Sequence, residues 1–548
     1  MRFAPPSPIP LALATPPGYA SPAMKLYRSF ATVGSLTLIS RIMGFLRDIV
    51  FAALLGAGPV AEAFVIAFRF PNLFRRWFGE GAFNAAFVPL FAKRMEGDGR
   101  DAARCFAEEA MSGLAFLLLL ISALAMVAMP YVMLVLAPGF SGSPEKFDLA
   151  VVMSRIAFPY LLCMSLVALL SGVLNSVGKF VESSAVSIVL NLTLITAMGI
   201  AMLLGYGNDR NAGIVMAWGI FAAGLLQLLL LLNGARRNGL TLRMRRPRMT
   251  ADVRQLIRLG VPGVIAGGVT QINIVVGGMI ASLQEGAVSW LYYADRLYEL
   301  PLAIVGIAIG VVLLPDISRH LRAGDQVAVM DAQNRSLEFA MLLTVPAAVA
   351  LAVIPHEIIR VLFERGAFKA SDTASVAGAL ALFALGLPSF VLIKVFSPAF
   401  FAREDTRTPM RFAGISLAVN TAGSIGLFFL FRHWAISPHL GIAIATSIGG
   451  WLNAMLLYGA LRRRGHFVAD ARLKRALPMI CLASLALGTL LIFGADRLSP
   501  WLSSSALMTK SAALAALTLS GALLYFALTA VTGTLRLGGL ARAMRRQK

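Results

Sequence analysis

Two stretches carry ionisable side chains where a hydrophobic chain has no ordinary use for them. The first, Ser40–Pro89, contains SRIMGFLRD and AEAFVIAFRFPNLFRRWFGEGAFNAAFVPLF, with Arg41, Arg47, Asp48, Glu62, Arg69, Arg75, Arg76 and Glu80. The second, YYADRLYELP, carries Asp295, Arg296 and Glu299. An arginine at the centre of a membrane-spanning helix costs about 2.5–3.5 kcal/mol. These groups are therefore expected to face a watery or ligand-filled cavity rather than lipid. Arg41 and Asp48 share one helical face, and Ser40 and Arg47 the adjacent one. Gly44 lies between them and admits a neighbouring helix. Glu62, Arg69, Asn72, Arg76 and Glu80 form a polar stripe, with Arg75 to one side and no partner in its own helix. Asp295, Arg296 and Glu299 share a patch. Each group is open to two readings, an ion pair that locks helices together or a ligand contact. The deep cations Arg41, Arg47, Arg69, Arg75, Arg76, Arg155, Arg296 and Lys394 exceed the acids Asp48, Glu62, Glu80, Asp295 and Glu299 by three. An anion relieves such a surplus, and the planar guanidinium suits phosphate oxygens. Arg155 and Lys394 lie near segment ends and can snorkel, which makes three an upper value.

The elements that hold these residues are helices in a membrane. Of 548 residues, 58% are hydrophobic and 14% charged, with mean hydropathy +0.77; soluble domains are about a quarter charged. Continuous apolar runs predict an all-α polytopic membrane protein and disfavour an alternating β-barrel. About fourteen spans are expected: 29–56, 61–92, 105–137, 147–175, 183–205, 211–235, 252–284, 289–318, 333–356, 373–402, 408–431, 438–461, 475–495 and 508–533. Pro71, Pro89, Pro301 and Pro398 are candidate bends. The net charge of +22 sits mostly in alternate loops, so the positive-inside rule explains it without nucleic acid. One side takes the arginine-rich connections around 236–258, 403–411 and 462–475 and the basic tail. The other has only Lys146, Arg210, Arg360, Arg365, Lys369, Arg432, Arg497 and Lys510. The bias is roughly four to one and places both termini in the cytoplasm.

An internal repeat divides the chain. AFRFPNLF…FVPLFAKRMEGD recurs as ADRLYELP…VLLPDISRHLRAGD, aligning Arg69 with Arg296 and Pro89 with Pro315 at an offset of 226 or 227. The expected organisation is a Pro-rich leader 1–23, read as disordered, then an N-lobe 24–240 and a C-lobe 241–465. Two further helices and a basic tail follow in 466–548. Paired six-helix lobes are a transporter architecture with the substrate at their interface. Cys105, Cys163 and Cys481 are scattered and odd in number, and the five histidines stand at or near segment ends; no disulfide framework or metal site follows. Gln271, Asn273, Asn420 and Thr421 either bridge helices or line an ion site, and bridging is preferred. No Walker A loop, HExxH or G-x-S-x-G occurs, so neither an enzyme nor an ATP-driven pump is expected.

The chain resembles the MurJ (MviN) family of bacterial lipid II flippases, in the multidrug/oligosaccharidyl-lipid/polysaccharide exporter superfamily. The resemblance covers about 24–535 and rests on SRIMGFLRD, AFRFPNLFRRWFGEGAFNAAFVP, SWLYYADRLYELP and VVLLPDISR together. It implies fourteen helices in two lobes, a cationic cavity, and a groove on the last two helices for the lipid tail. It further implies movement of lipid II to the periplasmic leaflet of the inner membrane by alternating access. Carried over by residue, Arg41, Arg47, Arg75 and Arg296 match the family's functional arginines, and Asp48 and Glu299 its acids. Ser40, Glu62, Arg69 and Asn72 are expected in supporting or gating roles. Many members have Asp where this chain has Glu62. No cofactor and no metal are expected; sodium, a proton or the membrane potential would supply energy. The expected partners are lipid II, membrane lipids and cell-wall synthesis proteins. The alternatives are another lipid-linked oligosaccharide or drug exporter of the superfamily, and a non-transporting scaffold.

Overall fold

A computed structural model of the chain describes residues 22–79 and 82–534. Among the described residues it is all-helical. Helices occupy every segment expected from hydropathy. α1 (Pro22–Leu55) is followed by α2 (Pro59–Gly79), α3 (Ala82–Gly97), α4 (Gly99–Val127) and α5 (Met129–Leu136). A short 3-10 turn, Pro138–Gly142, leads to α6 (Pro144–Ala157), α7 (Tyr160–Ser176), α8 (Val181–Leu203) and α9 (Arg210–Arg237). The second half comprises α10 (Ala251–Ala281), α11 (Ala287–Arg322), α12 (Gln326–Val353), α13 (Pro355–Phe363), α14 (Ala370–Phe401), α15 (Arg407–His433) and α16 (His439–Arg463). α17 (Ala471–Leu502) and α18 (Leu507–Val531) close the described chain. The leader up to residue 21 and the basic tail from 535 lie outside the described residues.

Ten of these stretches are long and apolar enough to cross a membrane: α4, α6 with α7, α8, α9, α12 and α14 to α18. The remaining expected segments, α1, α2 with α3, α10 and α11, are not in that set. α1, α2 and α11 carry the charge-rich motifs. Helix runs through Pro71, Pro89, Pro301 and Pro398. The chain instead interrupts its helices at Ala128 and at Phe158–Pro159. A proline with no N–H and a fixed φ is tolerated there because the neighbouring turn takes over the backbone hydrogen bonds: Leu161 N donates to the Phe158 carbonyl at 2.9 Å.

Packing follows the repeat with one exception. α1 packs on α8, α8 on α9, and α2 on α6 and α7; likewise α11 packs on α14, α14 on α16, and α15 on α16. α17 and α18 pair and rest on α12. The exception is α10, which opens the second repeat yet packs on α3 and α2 as well as on α15. Its first turn is tied to the first lobe. Arg94 bridges Asp98 and Asp252, and the N-cap Thr250 donates to Glu109 Oε2 at 2.8 Å. The connection into α10 is held by Glu108, 1% exposed, which accepts from Arg245 Nε at 2.5 Å and from the Arg243 amide at 3.1 Å. Glu338 on α12 does likewise in the second half, binding Arg335, and Arg472 at 2.9 Å, where the chain enters α17. A carboxylate this deep is tolerated because cations and amides occupy its lone pairs.

Candidate functional site

The charged helices enclose a cavity of about 270 Å³ between the two halves. α1 contributes Arg47; α2 contributes Val65, Phe68, Arg69 and Asn72; α8 contributes Leu190; α10 contributes Gln271 and Ile274. α11 contributes Tyr292, Asp295, Arg296 and Glu299, at the spacing that puts successive turns on one face. The described lining thus holds three arginines against two carboxylates.

Arg47 is fixed by its neighbours. Its Nε and Nη2 donate to Asp48 Oδ1 at 3.0 and 2.7 Å, and Nη1 donates to Asn191 Oδ1 at 3.0 Å. Asn191 in turn donates from Nδ2 to the Ser40 carbonyl at 2.9 Å, so Ser40 enters the network through its backbone. Gly44 faces Asn191, as a residue admitting a neighbouring helix should; a Cβ there would sit 3.4 Å from Nδ2. Tyr292 from the other half donates its hydroxyl to Asp48 Oδ1 at 2.9 Å, and Arg296 lies over the Tyr292 ring at 5.1 Å. Arg296 Nη1 is 3.2 Å from Glu299 and Nη2 is 3.9 Å from Asp295. Asp48, Tyr292 and the two arginines form one chain of contacts across the interface. Arg69 reaches over as well: Gly278 on α10 leaves room for it, and a Cβ there would meet Arg69 Nη1 at 2.6 Å.

Of the two pairings open to Asp48 within α1, Arg47–Asp48 forms and Arg41–Asp48 does not, because Arg47 and Tyr292 take the carboxylate. Arg41 is exposed and lies outside the cavity lining, near Lys394, whose opposite charge is Glu299. Glu62 does not neutralise Arg69 or line the cavity. It is fully buried, pairs with Lys146, and accepts the Val288 amide at 3.1 Å. Arg155 turns outward and donates to the Met126 carbonyl at 2.9 Å. The side chains of Arg75 and Arg76, and Glu80, lie outside the described residues. Tyr292 and Asn191 were missed, because a lone Tyr and Asn in apolar runs carry no local signal. Of the polar residues on α10 and α15, Asn273 and Asn420 bridge the two helices, Asn420 Nδ2 donating to Asn273 Oδ1 at 2.9 Å with Ser424 donating to Asn420 Oδ1 at 3.2 Å, whereas Gln271 lines the cavity. No cluster with metal-binding potential occurs among the described residues.

The cavity is closed at one end. The Ala367 amide donates to the Ala53 carbonyl at 2.9 Å, Tyr293 donates to the Gly56 carbonyl at 2.6 Å, and Gly139 N donates to Ser282 Oγ at 3.0 Å. Gly56 and Gly366 both have positive φ, +62° and +58°. A Cβ on either would lie 2.4 or 2.2 Å from the opposing carbonyl oxygen, so glycine alone permits this backbone approach. Phe51, Phe64, Tyr293, Phe363 and Phe368 fill the space behind these contacts, with ring centroids 5.2–6.0 Å apart.

The family model described as lipid II flippase MurJ matches residues 51–511. A relative named probable lipid II flippase MurJ from Rhizobium tropici is 46% identical over 527 residues, covering 96% of this chain and 98% of that protein. The solved structure of a lipid II flippase MurJ in an inward closed conformation superposes with a TM-score of 0.73 at 25% identity, over 91% of this chain and 98% of that one. The inward-facing conformation of a multidrug resistance MATE family transporter of the MOP superfamily gives 0.64 at 14% identity, over 80% and 98%, and shares the fold.

Proposed function

The chain belongs to the MurJ family of lipid II flippases; from that premise we propose that it moves lipid II, the undecaprenyl-pyrophosphate-linked peptidoglycan precursor, from the cytoplasmic to the periplasmic leaflet. One observation carries the chemistry: Arg47, Arg69 and Arg296 converge on a cavity at the interface of the two halves. Their guanidinium groups take the pyrophosphate oxygens. Asp48, Asp295 and Glu299 hold those groups in place while the site is empty and limit the cost of keeping cations away from water. Arg41 and Arg75 are part of the same proposal, Arg41 beside Lys394 toward the open end. A cavity of about 270 Å³ is at the small end for organic ligands. The disaccharide–peptide headgroup therefore enters a wider state, reached by alternating access about the interface.

The lobes 24–240 and 241–465, and the α17–α18 groove that takes the polyprenyl tail, complete the transporter in fourteen crossings. Both termini are cytoplasmic in the inner membrane, and the closed end faces the periplasm. Glu62 is a gate residue there. A coupling ion, sodium or proton, or the membrane potential supplies the energy. Membrane lipids and cell-wall synthesis proteins are the remaining partners. The test is complementation of a strain depleted of its own flippase. Arg47→Ala and Arg296→Ala, confirmed at normal levels in the membrane, are expected to fail. Growth supported by both would overturn the cationic site.

A further inference from the structure

Basic side chains are scarce on the far side of a membrane protein, and the loop pattern places eight there. Two are neutralised where they stand, Lys146 by Glu62 and Arg210 by Asp148 at 2.7 Å. Three others meet, two from neighbouring turns and one from a distant helix. Arg360 lies on α13, Arg365 in the turn after it, and Lys510 in the first turn of α18. Lys510 is 8% exposed and donates to the Glu364 carbonyl at 3.2 Å; it has no ion-pair partner among the described residues. Its charged neighbours are Arg365, Glu364 and Arg360. One acid, Glu364, lies beside Arg360 and Lys510. Glu364 is 3.8 Å from Arg360 Nε and also accepts the Thr373 hydroxyl at 2.6 Å. Arg365 Nη2 caps α13 by donating to the Val361 and Leu362 carbonyls at 2.6 and 2.9 Å, and its Nε is buried without a partner. Arg360 Nη1 donates to Ser503 Oγ at 3.2 Å at the end of α17. α18 starts at this point with no side-chain cap, so its first-turn amides add to the positive potential. Three cations around one carboxylate in a half-buried place are unfavourable without an anion.

We propose that Arg360, Arg365 and Lys510 form a second phosphate-binding site, at the closed end beside the α17–α18 pair, that takes the phosphate groups of a membrane lipid. Its position on the exit side rests on the function proposed above. The turn that carries Arg365 continues into Ala367, which closes this end by binding Ala53. When the end opens, a lipid pyrophosphate leaving the cavity passes these cations, while its tail stays in the bilayer against α17 and α18.

The test titrates polyprenyl pyrophosphate into the full-length protein in phosphatidylcholine nanodiscs and counts bound lipid by native mass spectrometry. Two equivalents are expected for the unaltered chain. One is expected for Arg365→Gln with Lys510→Gln, and one for Arg47→Ala with Arg296→Ala. Arg360→Gln, a part-exposed position that leaves the buried contacts intact, weakens the second equivalent about tenfold or more and decides the matter if the double variant does not fold. Two unweakened equivalents in the exit-side variants overturn the second site. Two equivalents in the cavity variant, with one in the exit-side variant, leave this site standing and overturn the cavity reading instead. Displacement of the second equivalent by phosphatidylglycerol assigns the site to bulk anionic phospholipid, and resistance to displacement assigns it to the pyrophosphate carrier.

Discussion

Gly139→Ala separates the closing contact from the substrate chemistry. Gly139 lies in the 3-10 turn between α5 and α6, and its φ is not positive. Alanine is therefore unstrained there, and the effect comes from the facing residue alone. A Cβ would stand 2.0 Å from the Ser282 carbonyl oxygen, 2.3 Å from its carbon and 2.6 Å from Leu283 Cα. All three are backbone atoms at the end of α10, so no rotamer relieves the overlap. Regaining contact near 3.5 Å requires the elements to part by about 1.5 Å, which also breaks the Gly139 N–Ser282 Oγ hydrogen bond. Overpacking of this kind costs about 1–3 kcal/mol, charged mainly to the state closed at this end. The equilibrium should shift about 5- to 150-fold toward opening there. The assay replaces Cys105, Cys163 and Cys481 by serine, places a cysteine at the cavity residue Gln271, and follows its labelling by a membrane-impermeant maleimide in oriented vesicles. Labelling from the closed side should accelerate by that factor. An unchanged rate in a protein of unchanged thermal stability would refute the role given to this contact.

Four further outcomes follow from the same geometry. Tyr292→Phe removes the hydroxyl that joins Asp48 to the other half; a charge-assisted hydrogen bond is worth about 1.5–3 kcal/mol, so flipping should slow about tenfold or more without loss of protein from the membrane. Glu62→Ala strands Lys146 in a fully buried place. An uncompensated buried charge costs about 3–5 kcal/mol, so the melting temperature should drop unless Lys146→Met accompanies the change. Asn273→Ala, which leaves Asn420 short of one acceptor, should cost about 1 kcal/mol in thermal stability. At the turn between α14 and α15, the Thr408 hydroxyl, then Arg464 and the Thr408 amide, hold the Asp405 carboxyl down to about 2. A depressed carboxyl stabilises the fold above its unfolded pKa near 3.9 and loses that contribution as pH falls through the folded value. Protection of the Thr408 amide should therefore persist from pH 7 to about 4 and fall only in stronger acid; loss already at pH 5 would contradict the assignment.

The extent to which the sequence was legible depended on distance along the chain. Helices could be placed by hydropathy because each satisfies its own backbone hydrogen bonds in lipid. The Arg47–Asp48 and Arg296–Glu299 pairs were within reach because their spacing is local. Glu62 and Lys146 are 84 residues apart and Asp48 and Tyr292 are 244 apart; no periodicity encodes such pairs. The surplus count weighed charges by depth alone and so did not see that Glu62 is taken by a lysine assigned to the far loops or that Arg155 turns away. The repeat suggested that α10 belongs with the second lobe. Its attachment to the first depends on Arg94, Glu108 and Glu109 meeting a linker whose arginines read, in sequence, as ordinary loop charge.

The central claim is that the arginine-lined cavity carries lipid II across the membrane. The most direct measurement is the amount of lipid II exposed on the periplasmic leaflet of cells that depend on this chain. With the unaltered chain, lipid II should reach that leaflet. With Arg47→Ala and Arg296→Ala together, present at normal level, it should accumulate on the cytoplasmic side. Equal exposure in both strains would contradict the account.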